Sequence, residues 1–204
     1  MADDIRFLDL VKRFYWDILD KDERKYYGFW MISQIPGCFG NMIRGRFLSA
    51  RFKSAGNNLR VYAGCRFRSM ENLVVGDDVE LGFDNFIQAL GGVTMGNNVM
   101  LGPGVKIWSV NHNYHDKNSL IRKQGQTESP VLIGNDVWIC SDAFISPGVH
   151  LPDGVVVASG AVVGVKKYPP YSIIAGNPAR VIGFREENSS PQKVEGGSSS
   201  GEIE

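Results

Sequence analysis

Two histidines in a polar stretch are the side chains of this sequence best suited to proton transfer. His112 and His115 lie in a run of asparagine, tyrosine and aspartate from Asn111 to Asp116. Because imidazole titrates near neutral pH, a histidine at the mouth of a loop can take a proton from a hydroxyl and later return it. We expect His112 to be this base, His115 to be its rival and His150 to be an outward surface residue. The alternative for His112 is a plain hydrogen-bonding role within the loop.

The composition disfavours several other kinds of site. The 204 residues carry 22 lysines and arginines and 22 aspartates and glutamates, so no net charge attracts nucleic acid or an anionic membrane. Cys38, Cys65 and Cys140 lack the spacing of metal ligands, and their odd number predicts reduced thiols in a cytoplasmic setting. A zinc site on three histidines is disfavoured because no histidine precedes the loop, and we expect no metal. The first residues do not read as a secretion signal, so secretion is not expected.

A six-residue repeat of aliphatic residues is the pattern that must position these side chains. At about 3.3 Å per residue, six extended residues make one flat face, and three faces close a triangular coil of about 18 residues. Each aliphatic side chain then points into the coil and stacks on the one below. The sequence therefore predicts an all-β solenoid, a parallel β-helix. The repeated residues are Val75, Leu81, Ile87, Met95, Leu101, Ile107, Ile133, Ile139, Ile145, Leu151, Val157 and Val163.

The segments between the repeated residues indicate corners and one external loop. Runs such as Gly76-Asp77-Asp78 and Gly96-Asn97-Asn98 supply the residues that tolerate the backbone angles of a sharp turn. Between the two blocks of repeats the pattern stops, and a solenoid accommodates such an insertion only on its outside. We expect a protruding loop over residues 111–130, where chemistry often collects in rigid stacks.

The chain divides into three segments. Residues 1–56 form an N-terminal part in which apolar spacing over residues 3–24 predicts one amphipathic helix. Residues 26–53, rich in aromatic residues and arginine, are expected to cap the open end of the solenoid, and the alternative is a peripheral contact with the inner face of a membrane. No apolar run there reaches the roughly 18 residues of a spanning helix. The β-helix is expected over residues 57–185, followed by a disordered tail over 186–204.

Two further motifs give the repeat a family resemblance. The run from Ile133 to Ile139, IGNDVWI, and the ending from Pro169 to Ile182, PPYSIIAGNPARVI, follow the Asn-His pair in order. Together they resemble the hexapeptide-repeat O-acetyltransferases that act on galactosides, maltose and polysaccharides. The resemblance implies acetyl-CoA as acetyl donor and a homotrimer with active sites between subunits. It also implies a left-handed β-helix, which no general rule predicts, since ordinary parallel crossovers are right-handed.

The resemblance also implies roles for residues near the loop. It places the catalytic base on His112, with Asn111 and His115 as neighbours. Trp138 matches a tryptophan beside the active site, and a core or interface aromatic is the alternative for it.

A second set of roles concerns coenzyme A. The family's basic position falls on Arg180, whose planar fork suits phosphate. Gly183 stands where a second arginine is common, and Arg185 is the nearest replacement. The residues that the resemblance assigns to coenzyme A are Ser141, Ser159, Lys166, Lys167 and Arg180.

The residues at the acceptor-binding positions differ from those of the enzymes that act on small sugars. The positions that bind the sugar in those enzymes correspond to Gly82 and Leu90 in this sequence. Asp84 and Asn85 are the nearest polar substitutes, although an ordinary corner turn accounts for both. The aromatic and basic N-terminal part is similar to that of the polysaccharide enzymes, so we expect the acceptor to be a sugar hydroxyl of a cell-surface polysaccharide or its precursor.

Two alternatives to sugar O-acetylation stay open. One is serine or nucleotide-sugar N-acetylation within the same superfamily. The other is a non-catalytic solenoid that serves as a binding module, which would need neither a loop histidine nor a basic C-terminal cluster.

Overall fold

The computed structural model describes residues 7–186, which form a triangular prism of stacked coils preceded by three helices. The faces of the prism are sheets of five, seven and five strands, here called A, B and C in the order in which the chain visits them. All their strands are parallel except the last strand of face B. The corners are named AB, BC and CA after the faces they join. The helices are α1 (Phe7–Leu19), α2 (Lys21–Ser33) and α3 (Gly37–Ser49).

Most strands are only two or three residues long. Face A consists of β1 (Ser54–Ala55), β4 (Leu73–Val75), β7 (Val93–Met95), β12 (Val131–Ile133) and β15 (His150–Leu151). Face B consists of β2 (Arg60–Val61), β5 (Glu80–Leu81), β8 (Met100–Leu101), β13 (Trp138–Ile139), β16 (Val156–Val157), β18 (Ser172–Ala175) and the antiparallel β19 (Arg180–Phe184). Face C consists of β3 (Arg66–Arg68), β6 (Phe86–Gln88), β9 (Lys106–Trp108), β14 (Phe144–Ile145) and β17 (Val162–Val163). The hairpin β10 (Val110–His112) and β11 (Gln126–Glu128) stands outside the faces, and short 3-10 helices span Met70–Asn72 and Ile121–Lys123.

The repeated aliphatic residues form the core, as the sequence predicted. All twelve are at most 3% exposed. Their register is strict, since Val75 pairs with Met95, Met95 with Ile133, and Ile133 with Leu151. Each coil thus pairs its backbone groups with the next coil and stacks its aliphatic side chains on it. The all-β solenoid is confirmed.

Left-handed backbone conformations turn the chain at every AB corner. Asn58, Asp78, Asn98 and Asp136 have φ between 53° and 58°, and Gly154 has φ 72°. This region costs most residues about 1–2 kcal/mol, whereas asparagine, aspartate and glycine tolerate it. The corner prediction from the Gly-Asn-Asp runs is therefore confirmed.

Side-chain hydrogen bonds connect the same corners along the prism. The Oδ1 atom of Asp77 accepts from the backbone N–H of Asn57 at 2.6 Å, and Asn97 accepts from Asp77 at 2.8 Å. Asn135 accepts from Asn97 at 2.9 Å, and Asp153 accepts from Asn135 at 2.7 Å. Corner AB therefore satisfies backbone donors that the short strands leave unpaired.

The N-terminal part differs from the predicted single helix over residues 3–24. The chain breaks between α1 and α2 at Asp20, whose Oδ1 accepts from the backbone N–H of Glu23 at 3.1 Å. Aspartate in this position caps a new helix, so the apolar spacing continues while the helix restarts. Residues 1–6 and 187–204, which include most of the predicted tail, lie outside the described residues.

Helix α3 is fixed to the stack by a buried arginine. Arg44 is 1% exposed; its Nε donates to the carbonyl of Val61 at 2.8 Å and its guanidinium also donates to Ile35 O at 2.7 Å and Asn41 Oδ1 at 2.6 Å. These bonds connect the α2–α3 turn to the first coil, which begins at β1, just ahead of the predicted boundary at residue 57. None of the helices in the described part of the chain has the length and apolar content that a membrane crossing requires.

The first prediction concerns the corner conformation. Asn98→Val places a β-branched residue at φ 57° and should lower the free energy of unfolding by about 1–2 kcal/mol. Asn98→Gly is the matched control and should stay within about 0.5 kcal/mol of wild type, because glycine adopts this conformation freely. Urea unfolding measures both values, and equal stability of the two variants would contradict this account of the corner.

The second prediction concerns the arginine under α3. Arg44→Met leaves the carbonyls of Ile35 and Val61 without their donors and should lower the free energy of unfolding by about 2–4 kcal/mol. The same loss should speed proteolytic cleavage in the α2–α3 turn. Arg46→Met, on the exposed side of α3, is the control and should change stability by less than about 0.5 kcal/mol. If Arg44→Met keeps the wild-type cleavage rate and stability, Arg44 does not fix α3 to the stack.

Candidate functional site

His112 ends strand β10 at the point where the loop leaves corner CA. The hairpin pairs Asn111 with Thr127 and His112 with Gln126, while Val110 before them is 6% exposed. The imidazole is thus held on a strand rooted in the core, and its side chain is exposed to solvent. This is the geometry that a proton-transfer group at the edge of a cleft requires.

Gln126 holds the ring of His112 and was not identified as a site residue from the sequence. The Nε2 atoms of the two side chains are 3.2 Å apart. With the histidine Nε2 unprotonated, the amide N–H of Gln126 donates to it. A hydroxyl that gives its proton to this nitrogen would therefore displace the Gln126 amide. Only the cross-strand register could have revealed this pair.

The loop beyond His112 is ordered by its own hydrogen bonds. Asn113 donates from its backbone to the carbonyl of Gly125 at 3.1 Å and accepts at Oδ1 from the hydroxyl of Thr127 at 2.6 Å. Further out, the Gln124 amide donates to the carbonyl of Asp116 at 2.8 Å. These contacts close the base of the loop and keep the position of His112 independent of the loop tip.

The other two histidines have different surroundings. His115 lies on the exposed loop, where its ring packs against Tyr114 with centroids 4.6 Å apart. His150 lies on β15 and is exposed on the outside of face A. Within residues 7–186, no group of three histidine, cysteine, aspartate or glutamate side chains is placed to hold a metal ion.

Trp138 lies on face B, on the opposite side of the prism from corner CA. Its side chain is 47% exposed, and its strand pairs with those of Met100 and Val156. Trp138 is therefore an outward surface aromatic in the single chain, with bulky apolar neighbours above and below it.

A column of small residues runs along face B beside Trp138. Gly82, Gly102, Cys140 and Ala158 occupy the same position in successive coils, each donating its backbone N–H to the coil above. These residues have little or no side chain, and a Cβ at Gly82 or Gly102 would meet the backbone of the next coil. We call this column of small residues the face B channel.

The channel carries a thiol that is poorly suited to nucleophilic attack. Burial raises the pKa of the Cys140 thiol, and a hydrogen bond with Ser159 offsets part of that rise. Cys65, whose thiol is buried, has its pKa raised to about 12 by burial. Because the thiolate is the reactive form, neither cysteine is activated at neutral pH.

The predicted coenzyme A residues fall at two places. Ser141 and Ser159 lie at corner BC along the edge of the channel, one coil apart. Lys166 and Lys167 are exposed and follow β17, where the chain leaves corner CA at the end of the stack. Arg180 begins β19, and its guanidinium donates to the carbonyl of Ala179 at 2.9 Å; no acidic side chain pairs with it within residues 7–186.

One expectation about a polar residue, that for Asn85, needs correction. Asn85 is fully buried and its amide donates to the carbonyl of Gly102 at 2.8 Å, so an acceptor outside the prism cannot reach it. Asp84 is exposed at corner BC with φ 57°, which matches an ordinary corner turn. Arg185 lies at corner AB, where its guanidinium pairs with the carboxylate of Asp136 at 2.7 Å.

The single chain separates the site residues that the sequence analysis grouped. His112 and the lysines that follow β17 lie at corner CA, whereas Trp138, Ser141 and Ser159 lie on face B and corner BC. In a triangular prism a face lies across the core from the opposite corner. Contact between His112 and Trp138 therefore requires two copies of the chain.

Known proteins share this sequence and architecture. No family model matches the chain. It is 34% identical over 140 residues to the galactoside O-acetyltransferase of Escherichia coli K12, covering 68% of this chain and 67% of that protein. It is 28% identical over 132 residues to the putative colanic acid biosynthesis acetyltransferase WcaF of the same species, covering 65% and 69%. A galactoside acetyltransferase structure in complex with coenzyme A matches with a TM-score of 0.72 and 28% identity, covering 85% of this chain and 87% of that one.

The stacked six-residue coils, interrupted by one loop at a corner, define a hexapeptide-repeat β-helix. With these relatives, the chain belongs to the hexapeptide-repeat acetyltransferase family. It is an acyltransferase, and its fold is the left-handed β-helix of that family.

Proposed function

We propose that this protein transfers the acetyl group of acetyl-CoA to a hydroxyl of a sugar. The observation that carries the proposal is His112, a solvent-exposed imidazole fixed by the β10–β11 ladder at the mouth of the loop. A relative at 34% identity is named a galactoside O-acetyltransferase, and a structural neighbour is in complex with coenzyme A.

His112 moves a single proton in the proposed reaction. It takes the proton of the acceptor hydroxyl while that oxygen attacks the carbonyl carbon of the thioester. As the carbon–sulfur bond breaks, His112 returns the proton to the departing thiolate. An acyl-enzyme is not needed, and the raised pKa of the Cys140 thiol is consistent with direct transfer.

The face B channel suits the extended arm of coenzyme A. Gly102, Cys140 and Ala158 present only small side chains along it, and Ser141 and Ser159 line its edge with hydroxyls. We assign the phosphates to the cations at the end of the stack, Lys166, Lys167 and Arg180, because these are exposed and arginine in particular matches phosphate geometry.

A second copy of the chain completes the site in this proposal. Three prisms related by a closed three-fold axis can each bring corner CA against face B of the neighbour, so that His112 meets Trp138 at each of the interfaces. The arrangement as a homotrimer rests on the family and on the separation of these two residues within one chain.

We further propose that the acceptor belongs to a cell-surface polysaccharide or its precursor, modified in the cytoplasm. Support comes from the likeness to a putative colanic acid biosynthesis acetyltransferase. A peripheral contact of residues 26–53 with the membrane that carries such precursors rests on its exposed Trp30, Met31, Phe39 and Met42, each more than 60% exposed.

The third prediction tests the base. His112→Ala should lower kcat for acetyl transfer by about 10²–10⁴-fold, the usual contribution of a positioned acid–base group. Coenzyme A affinity, measured by calorimetry, should change less than about twofold, because His112 does not hold the nucleotide. His115→Ala is the matched control and should keep near-normal kcat. If only His115→Ala lost activity, His115 and not His112 would be the base.

The fourth prediction tests the shared site. His112→Ala and Trp138→Ala chains, unfolded, mixed in equal amounts and refolded together, should recover about a quarter of wild-type activity. An interface is complete only where an intact His112 from one chain meets an intact Trp138 from the next chain. Random mixing makes about one interface in four complete. Each variant refolded alone is the control. No recovery in the mixture would mean that both residues act within one chain.

A further inference from the structure

A groove between α3 and the first coil opens at the helical end of the prism. Its volume is about 480 Å³. Gly45 of α3 packs directly on the first coil there, because it lies so close to the carbonyl of Leu59 that a Cβ atom would collide with the oxygen. Phe39, Met42 and Arg46 of α3 line one side of the groove, and residues 56–60 of corner AB line the other. We call this feature the α3 groove.

The side chains around the α3 groove combine apolar surface with an unpaired cation. Phe39 and Met42 are 67% and 66% exposed, so most of their surface is in contact with water. The guanidinium of Arg46 is exposed and makes no hydrogen bond or ion pair with any group of residues 7–186. Arg60, at the end of the groove, is paired with Glu80 at 3.6 Å. The groove therefore presents a free positive charge beside uncovered apolar side chains.

Charge is unevenly distributed along the chain. Residues 24–70, which comprise most of α2, all of α3 and the first coil, contain nine lysines and arginines and no aspartate or glutamate. Residues 71–204 contain nine lysines and arginines and 15 aspartates and glutamates. The net charge of zero thus combines a basic segment at the helical end with an acidic remainder. The nine basic residues of the first segment are Arg24, Lys25, Arg44, Arg46, Arg51, Lys53, Arg60, Arg66 and Arg68.

Two of the basic residues near the groove are occupied by the fold, and Arg46 is not. Arg44 is buried and donates to backbone carbonyls, as described above. Arg51 lies over the ring of Phe47 and donates to the carbonyl of Phe47 at 2.6 Å. Aspartate and glutamate are absent from the described residues that line the groove. The charge of Arg46 is therefore available to an external anion.

We propose that the α3 groove docks on an anionic phospholipid bilayer and that Arg46 binds a lipid phosphate there. This inference rests on the membrane contact in the proposed function and names its lipid and its residues. A guanidinium fork matches the oxygens of a phosphate, while Phe39 and Met42 beside it enter the boundary between headgroups and acyl chains. The basic residues extend from α2 to the first coil, which fits a surface of many phosphates better than one soluble anion. A second copy of the chain would oppose like charges.

The stack fixes how far the docked bilayer lies from the proposed base. Strands β3, β6 and β9 follow one another on face C, and the chain continues from β9 to His112. Two strand spacings, about 10 Å, therefore separate the level of the first coil from that of His112. A bilayer at the helical end would lie close to the transfer site without covering corner CA at the loop.

Vesicle partitioning of the full chain tests this inference. The protein is sedimented with vesicles of phosphatidylcholine alone and of phosphatidylcholine and phosphatidylglycerol in equal parts. Wild type should bind the mixed vesicles about tenfold or more tightly than the neutral ones, because each basic residue near an anionic surface adds attraction. Added salt should weaken this binding, since exposed charges are screened.

Substitutions in the groove locate the contact. Arg46→Gln should lower the partition coefficient onto mixed vesicles about fivefold. Phe39→Ala should lower it about threefold or more through the loss of apolar contact. The matched controls are Arg122→Gln and Phe184→Ala, an exposed arginine and an exposed phenylalanine outside the groove, which should partition like wild type. Both groove variants alter exposed side chains, and unchanged melting temperatures confirm that they are folded.

The outcomes separate the groove from the proposed reaction. If wild type binds both kinds of vesicle equally, or binds neither, an anionic bilayer is not the partner. If wild type binds the mixed vesicles and both groove variants bind them equally well, another part of the chain makes the membrane contact. If excess glycerol phosphate displaces the protein from the vesicles, the groove is a site for a soluble phosphate instead. Acetyl transfer is assayed on methyl β-galactoside without vesicles, so its absence alongside the expected partitioning would contradict only the reaction.

Discussion

Backbone pairing between consecutive coils is the constraint on which the rest of the structure depends. A strand of two or three residues cannot satisfy its N–H and C=O groups alone, so every coil must present its groups in register to the next. The aliphatic columns enforce that register, because a slip of one residue would turn each inward side chain to solvent. The loop obeys the same constraint: Ile107 pairs with Ile145 although the insertion lies between them. The loop leaves the stack and returns without disturbing it.

The rigid stack also decides where chemistry can take place. A position within the six-residue repeat determines a face or corner, and each successive coil repeats that assignment along the prism. His112 is consequently confined to corner CA, while Trp138 and the face B channel lie across the core. No rearrangement within one chain brings them together without breaking the ladder. In the proposed homotrimer, assembly of copies completes the site and leaves the coils intact, and a closed ring gives every copy the same contacts.

This surface offers few reactive side chains, and direct acyl transfer requires few. In the proposed reaction, the imidazole of His112 moves the proton and the thioester lies along the small residues of face B. The raised pKa values of the Cys65 and Cys140 thiols make a competing nucleophile ineffective. In the proposed reaction, outward side chains of neighbouring coils recognise the acceptor, and these can vary while the inward columns stay unchanged.

The sequence by itself determined the solenoid, its inward residues, its corners and the position of His112 at the root of a loop, because these depend on a local period and on turn chemistry. The break at Asp20 was also a local signal, an N-cap inside an apolar pattern. Only the tertiary structure decided that Asn85 is buried and that Arg185 pairs with Asp136, residues 49 positions apart. The pairing of Gln126 with His112 likewise depends on register between separate strands. Such contacts are set by how coils and hairpins align in space, which the period of one segment does not encode.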